Sequence, residues 1–138
     1  MIRKSKTTDI KSIMNIWLNT NLDAHPFIAS KYWYQNLLNV QTAIQSAEVY
    51  CFVNDKDCIE GFIGLQENYI AGLFVAKEYQ SQHIGTNLLN LAKEKHQLLV
   101  LDVYLKNHRA IKFYQHNGFQ ITKHNNLEAQ MTWVNKNI

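Results

Sequence analysis

Seven consecutive residues, Leu98-Leu99-Val100-Leu101-Asp102-Val103-Tyr104, set the narrowest limits on what this chain can fold into. An apolar run this short and nearly unbroken reads as a β-strand covered on both faces, which belongs in the middle of a sheet flanked by helices. Helical patterns lie directly on either side of it. From Gly85 onward Leu88, Leu89, Leu91 and Ala92 recur at helical spacing as far as Lys95-His96, where cations suit a helix C-terminus. Beyond the strand, Asn107 can cap a helix over residues 110–116, which Asn117-Gly118 ends by supplying a left-handed residue.

The remaining elements fall around this centre. Ile10, Ile13, Met14, Trp17 and Leu18 make a first helix after Thr7-Thr8-Asp9, a set of side chains suited to an N-cap. A second helix from Ser30 carries Trp33, Leu37, Val40 and Ile44 on one stripe, with Pro26 in the connection. Residues 49–53, 58–65 and 69–75 are β-rich runs that read as an antiparallel meander, the first two joined by an Asn-Asp-Lys-Asp turn. Residues 119–123 and 129–134 form the last strands, turning at Asn125-Asn126. The expected order is α-α-β-β-β-α-β-α-β-β.

At 138 residues the chain reads as one domain spanning 1–138. Its 46% hydrophobic and 12% aromatic content suits a packed core, and no apolar run nears the ~20 residues that span a bilayer. With no apolar stretch at the N-terminus to act as a leader, a cytoplasmic protein without membrane contact is expected. Cys51 and Cys58 lack metal or disulfide spacing, so no metal is expected. A net charge of +3 with two arginines is too weak and scattered for a nucleic-acid footprint. The local cluster Lys106, His108, Arg109 and Lys112 either faces a phosphorylated ligand or forms a solvated helix face.

The chemistry concentrates in residues 73–86, where a strand passes through a polar turn directly into a helix. The first turn of a helix carries backbone N–H groups without intrahelical partners and about half a positive charge, which suits a diphosphate. Gly85 permits close approach, and Gln82, His83 and Thr86 can add donors. An ordinary strand-to-helix turn would look the same.

Two stretches carry a more specific resemblance. Gln80-Ser81-Gln82-His83-Ile84-Gly85 between strand and helix resembles the Gln/Arg-x-x-Gly-x-Gly/Ala signature of the GNAT acyltransferase superfamily. Residues 103–119, with Asn107, Ala110, Phe113-Tyr114 and Gly118-Phe119, are similar to that superfamily's second conserved region, strand-x-x-x-Asn-x-x-Ala-x-x-Phe-Tyr-x-x-x-Gly-Phe. Both occur in the family's order, and the flanking elements account for nearly the whole chain.

The resemblance implies an α/β (α+β) GNAT fold, with a mixed, mostly antiparallel splayed sheet of about six or seven strands flanked by four helices. Acetyl-CoA, the acyl donor, would lie in the splay between the strands at Leu73 and Leu101. Backbone groups of Leu73, Phe74 and Val75 would bind the pantetheine arm as an added strand does. The amides of Gln80, Ser81, Gln82, His83, Ile84, Gly85 and Thr86 would hold the pyrophosphate. Asn107 would bind pantetheine or cap its helix, Ala110 is the helix residue of the same motif, and Arg109 and Lys112 would neighbour the nucleotide phosphates. One departure is His83, which stands where the signature has its first glycine. A histidine loses backbone freedom there, although its ring can donate to a phosphate.

Acetyl transfer to an amine needs a neutral amine, a polarised carbonyl and a proton for the leaving thiolate. A lysine-like amine of pKa about 10.4 is neutral in only ~0.1% of molecules at pH 7, so its proton must be removed with help. Tyr114 suits the thiol end as a phenol that stays protonated, or packs with Phe113 in the core. A backbone N–H near Val75 would polarise the carbonyl. Glu67 and His25 are the candidate bases; Glu67-Asn68 is equally a solvated turn and His25-Pro26 a loop anchor, and a path through water is open.

The expected function is therefore N-acetyl transfer from acetyl-CoA to a primary amine, of a small molecule or a peptide. A catalytically silent acyl-CoA-binding or sensing module is the alternative, and a nucleic-acid or partner-binding domain using the basic face near Arg109 is a third. His25, Trp33, Tyr34 and Tyr69 can line an aromatic acceptor pocket or belong to the core. Monomer and homodimer both fit.

Overall fold

The computed structural model describes residues 1–136. Its strands are β1 (Ile2–Lys4), β2 (Glu48–Val53), β3 (Ile59–Gln66), β4 (Tyr69–Val75), β5 (Leu98–Tyr104), β6 (Gln120–His124) and β7 (Glu128–Val134). Its helices are α1 (Ile10–Ala24), α2 (Ser30–Gln35), α3 (Leu37–Ser46), α4 (Ile84–Lys95) and α5 (His108–His116), with 3₁₀ turns at Thr7–Asp9 and Lys77–Tyr79. The strands form one seven-stranded sheet in the order β1-β2-β3-β4-β5-β7-β6. Every pairing is antiparallel except β4 with β5. This is the mixed, mostly antiparallel sheet that the sequence leads one to expect.

Three expectations need correction. The strand β1 was not foreseen: its three residues carry no pattern of their own and gain a ladder only from β2, with Ile2 opposite Phe52. Among the described residues there are five helices rather than four, because the stripe from Ser30 to Ile44 breaks at Asn36. There the Asn36 side chain donates to the Tyr32 carbonyl at 2.7 Å, competing for an acceptor that the backbone ladder would otherwise use alone. Finally, β5 is central but buried on one face only. Leu99, Leu101 and Val103 are buried, whereas Asp102 is exposed and Val100 and Tyr104 are half-buried, because α1 packs mainly over β3 and β4.

Each face of the sheet has its own core. Ile63, Leu65, Ile70, Leu99, Leu101 and Met131 meet Leu88 and Leu89 of α4 and Tyr114 of α5 on one side. On the other, Val49, Cys51 and Phe62 meet Ile13, Met14 and Trp17 of α1 and Trp33 of α2. Leu88 and Leu89 are fully buried, so the stripe read from the sequence is the face that docks α4. Each such side chain contributes roughly 1.5–3 kcal/mol relative to exposure.

The functionally important irregularity is the join between β4 and β5. Only Tyr69 and Val100 are in register there, supported by a hydrogen bond from the Val100 N–H to the Asn68 carbonyl at 3.0 Å. The Tyr69 hydroxyl donates across the same join to Asp102 Oδ2 at 2.9 Å. Past this vertex the strands run on as far as Val75 and Tyr104 without a further paired residue, and on β4 the pairing with β3 shifts register beside Gly64 and Leu65. The sheet therefore opens toward the carboxyl ends of β4 and β5, where ligands of parallel strands commonly sit.

Candidate functional site

A cleft of about 890 Å³ occupies this opening, walled by the ends of β4, the turn into α4, the C-terminal turn of α1 and the first two turns of α5. Its backbone edge follows from register. The Ala76 N–H donates to the Glu60 carbonyl at 2.9 Å, and Val75, Phe74 and Leu73 stand opposite Gly61, Phe62 and Ile63. Bonded and non-bonded pairs alternate along an antiparallel ladder, so Phe74 bonds to β3, while Leu73 and Val75 turn their N–H and C=O groups into the cleft. The Gln80 side chain, donating at 3.0 Å to the Val75 carbonyl, fits that direction. What remains is the edge of a strand that an extended, amide-bearing ligand can extend.

At the far end of that edge α4 begins. Its first amides, those of Ile84, Gly85 and Thr86, belong to the turn without intrahelical acceptors, and all three residues line the cleft. No side chain caps the helix: His83, at the N-cap, adopts φ 66° and ψ 12°. Ser81 is also left-handed, at φ 66°. Two non-glycine residues in this region, each costing roughly 1–2 kcal/mol, fold the turn so that Gln80, Ser81 and His83 border the cleft while Gln82 is exposed outside it. Gly85 serves a close approach: a Cβ there would lie 3.1 Å from Cζ of Phe113.

From the opposite wall, α5 presents Asn107, His108, Arg109, Ala110, Phe113 and Tyr114. Asn107 is the expected cap: its Oδ1 accepts from the Ala110 N–H at 3.1 Å. Lys106, His108 and Arg109 all border the cleft and Lys112 does not, so three of the four basic residues are gathered opposite the α4 N-terminus. The Tyr114 ring is buried, with Phe113 and Phe119 edge-on at 5.2 and 5.5 Å. Burial pushes its hydroxyl far above the ordinary phenol range, so the residue belongs both to the core and to the cleft wall.

The two candidate bases part company. His25 borders the cleft, 8% exposed, within a cage formed by Trp33, stacked at 5.4 Å, and by Phe27 and Tyr104, edge-on at 5.6 and 4.8 Å. Its Nε2 lies 3.1 Å from Asn107 Nδ2, and burial lowers its pKa. Glu67 is not brought to the site. It is exposed at φ 54° in the β3–β4 turn, beside the closed vertex, and β4 runs about 13 Å from Tyr69 before Leu73 reaches the cleft. Of the aromatic acceptor set, Trp33 is buried in the α1–α2 core and Tyr34 is exposed on α2, while Tyr69 pins the vertex.

Phe113, named above only as a motif residue and packing partner of Tyr114, lines the cleft, as does the C-terminal turn of α1 with Thr20, Asn21 and Asp23, for which the sequence suggests no role. Phe113 sits within the motif beside Tyr114 and is legible there as the partner of Gly85; the polar turn of α1 carries no local signal. Among the described residues no group of three or more His, Cys, Asp or Glu side chains is placed to hold a metal. No helix among them is long and apolar enough to cross a membrane.

Comparison with known proteins agrees with this geometry. Residues 45–121 match the model of the acetyltransferase (GNAT) domain. The peptidyl-lysine N-acetyltransferase YiaC of Escherichia coli is 33% identical over 123 residues, 88% of this chain and 84% of that one. The peptidyl-lysine N-acetyltransferase YjaB of the same organism is 25% identical over 121 residues, 88% and 82% of the two chains. In three dimensions the apo form of YjaB superposes with a TM-score of 0.86 at 22% identity, covering 97% of each chain. The PaiA N-acetyltransferase of Thermoplasma acidophilum in complex with coenzyme A gives 0.82 at 21% identity, covering 97% of this chain and 98% of that one. With the domain model matched over more than half its length and its signature residues gathered at one splayed edge, the chain belongs to the GNAT family and is an acetyl-CoA-dependent N-acetyltransferase.

Proposed function

We propose that this acetyltransferase acts on the ε-amine of lysine in a peptide or protein, with Tyr114 serving the leaving thiol. The acceptor class rests on the relatives, which are named for peptidyl-lysine. The observation that carries the mechanism is the convergence, on one cleft, of the Leu73–Val75 backbone edge, the α4 N-terminus and Tyr114.

Acetyl-CoA fits these residues: Leu73 and Val75 offer amide partners to an extended arm, the first amides of α4 suit its pyrophosphate, and Arg109 and His108 stand opposite to receive further phosphate charge. When bound, it supplies an activated thioester carbonyl and a thiol leaving group. The Val75 N–H then points into the space where carbonyl charge develops, a fixed donor that needs no reorganisation. Tyr114, kept protonated by burial, donates to the sulfur as negative charge grows on it. Glu67 is too remote to take the acceptor's proton, and that proton leaves through water in the open cleft.

Calorimetric titration with acetyl-CoA, repeated on Gly85→Glu, tests the cofactor seat. Saturable binding is expected in the parent and at least a 100-fold weaker affinity in the variant, whose carboxylate meets the diphosphate and whose side chain crowds Phe113. A lysine peptide and a spermidine-like polyamine, compared as acceptors by mass spectrometry, then test the acceptor class. Polyamine acetylation with an inert lysine peptide would overturn the lysine reading.

A further inference from the structure

His25 is surrounded by three aromatic rings, yet its ring also makes a polar contact with the α5 side of the cleft. The Nε2 atom lies 3.1 Å from Nδ2 of Asn107, 82 residues along the chain. The geometry at Asn107 fixes the chemistry of this contact. Its Oδ1 faces the Ala110 N–H at 3.1 Å, and that donor requires the oxygen, not the amide nitrogen, of the carboxamide. The NH₂ group therefore faces His25, and a hydrogen bond forms only if Nε2 offers its lone pair. The proton of the neutral ring is then on Nδ1. That atom is buried without a well-formed hydrogen bond, and the Asn21 carbonyl stands near enough to the ring to favour a proton on it.

This assignment removes His25 from the role of base. One ring nitrogen spends its lone pair on Asn107, and the other already carries a proton and is closed to solvent. We infer that His25 is a positioning residue: as a neutral acceptor it holds the Asn107 carboxamide, and through that cap it fixes the α5 wall, with Tyr114, relative to the end of α1. The contact joins the two arms of the splay at its mouth, as the bond from Tyr69 to Asp102 joins them at its vertex. A cleft wall displaced by even 1 Å can cost about 100-fold in rate, so a tether here is worth having. The inference deepens the proposed acetyl-transfer reading and rests on it for its kinetic consequence, while the ring chemistry stands apart from that reading.

Two measurements test it. In ¹⁵N spectra of the histidine rings of the ligand-free protein at pH 7, His25 is expected as the Nδ1–H tautomer, and Asn107→Ser should abolish that preference. An Nε2–H or doubly protonated ring in the parent would overturn the assignment whatever the protein acetylates. Kinetically, His25→Ala should lower kcat with the lysine peptide about 10-fold. His25→Gln, whose side-chain oxygen can accept from Asn107, should recover most of the loss. The double variant His25→Ala/Asn107→Ser should be no slower than the slower single variant. Equal loss in His25→Gln and His25→Ala would sink the positioning role, as would independent, multiplicative losses in the double variant. A parent protein that binds no acetyl-CoA would instead remove the function proposed above, leaving the tautomer result to be read alone.

Discussion

The role proposed for Tyr114 joins two requirements that usually conflict, since a proton-donating hydroxyl should be reachable and this ring is buried against Phe113 and Phe119. Burial disfavours the phenolate, so the pKa moves upward and the neutral donor persists to higher pH than in a free phenol. The sign of the pH dependence follows. Transfer should quicken as pH rises and the acceptor ammonium, of pKa about 10.4, loses its proton, with no falling limb below about pH 10. Tyr114→Phe keeps the ring packing and removes the donor, so kcat should fall about 100-fold with acetyl-CoA affinity nearly unchanged. A falling limb near pH 8 in the parent, or unchanged turnover in the variant, would take Tyr114 out of the mechanism. The place of Tyr114 on the cleft wall was legible in the sequence because the spacing from Asn107 to Gly118 is a local pattern around one helix. Glu67 misled because its value depends on which end of β4 opens, and strand direction relative to the splay is not written in any local run of residues.

At the level of elements, the helix that carries Tyr114 is held at both ends by backbone chemistry that the sequence states openly. Asn107 caps its start, and Gly118, at φ 89°, ends it in a conformation that L residues adopt at a cost. The Gly118 and Phe119 amides return to the carbonyls of Gln115 and Tyr114 at 3.1 and 3.0 Å, and Lys93 of α4 adds a bond to the Asn117 carbonyl at 2.6 Å. Gly118→Ala should therefore lose about 1–2 kcal/mol from the backbone alone, and the new Cβ would also press on the Trp133 ring at 3.2 Å. A fall in Tm of roughly 4–8 °C is expected in a thermal melt, whereas an unchanged Tm would mean that the α5 terminus relaxes freely. Caps, stripes and turns of this kind made most element boundaries legible. The break at Asn36 was not, since it depends on one side chain outcompeting a ladder that the apolar stripe on either side supports.

For the molecule as a whole, the decisive feature is that a seven-stranded sheet is continuous everywhere except where β4 leaves β5. The burial of β5 on a single face was hidden in its composition, because an apolar run looks alike whether helices or a half-open cleft cover its second side. The splay itself is visible only in the register, and it makes an asymmetric prediction. The Phe74 amide is committed to β3, whereas those of Leu73 and Val75 face the opening. In hydrogen exchange, the free protein should show fast exchange at Leu73 and Val75 beside a slow Phe74. Saturating acetyl-CoA should slow the first two by at least 10-fold more than the third, since a ligand that adds as a strand supplies the missing acceptors. Ligand binding at 100 times Kd also stabilises the whole fold by about 2.7 kcal/mol, which would slow all globally exchanging amides together. Uniform slowing at the three positions would mean that binding acts only through this global term and that the β4 edge makes no direct bonds to the cofactor. The alternating pattern would instead identify the gap in the sheet as the seat of the acyl donor, completed by ligand in place of an eighth strand.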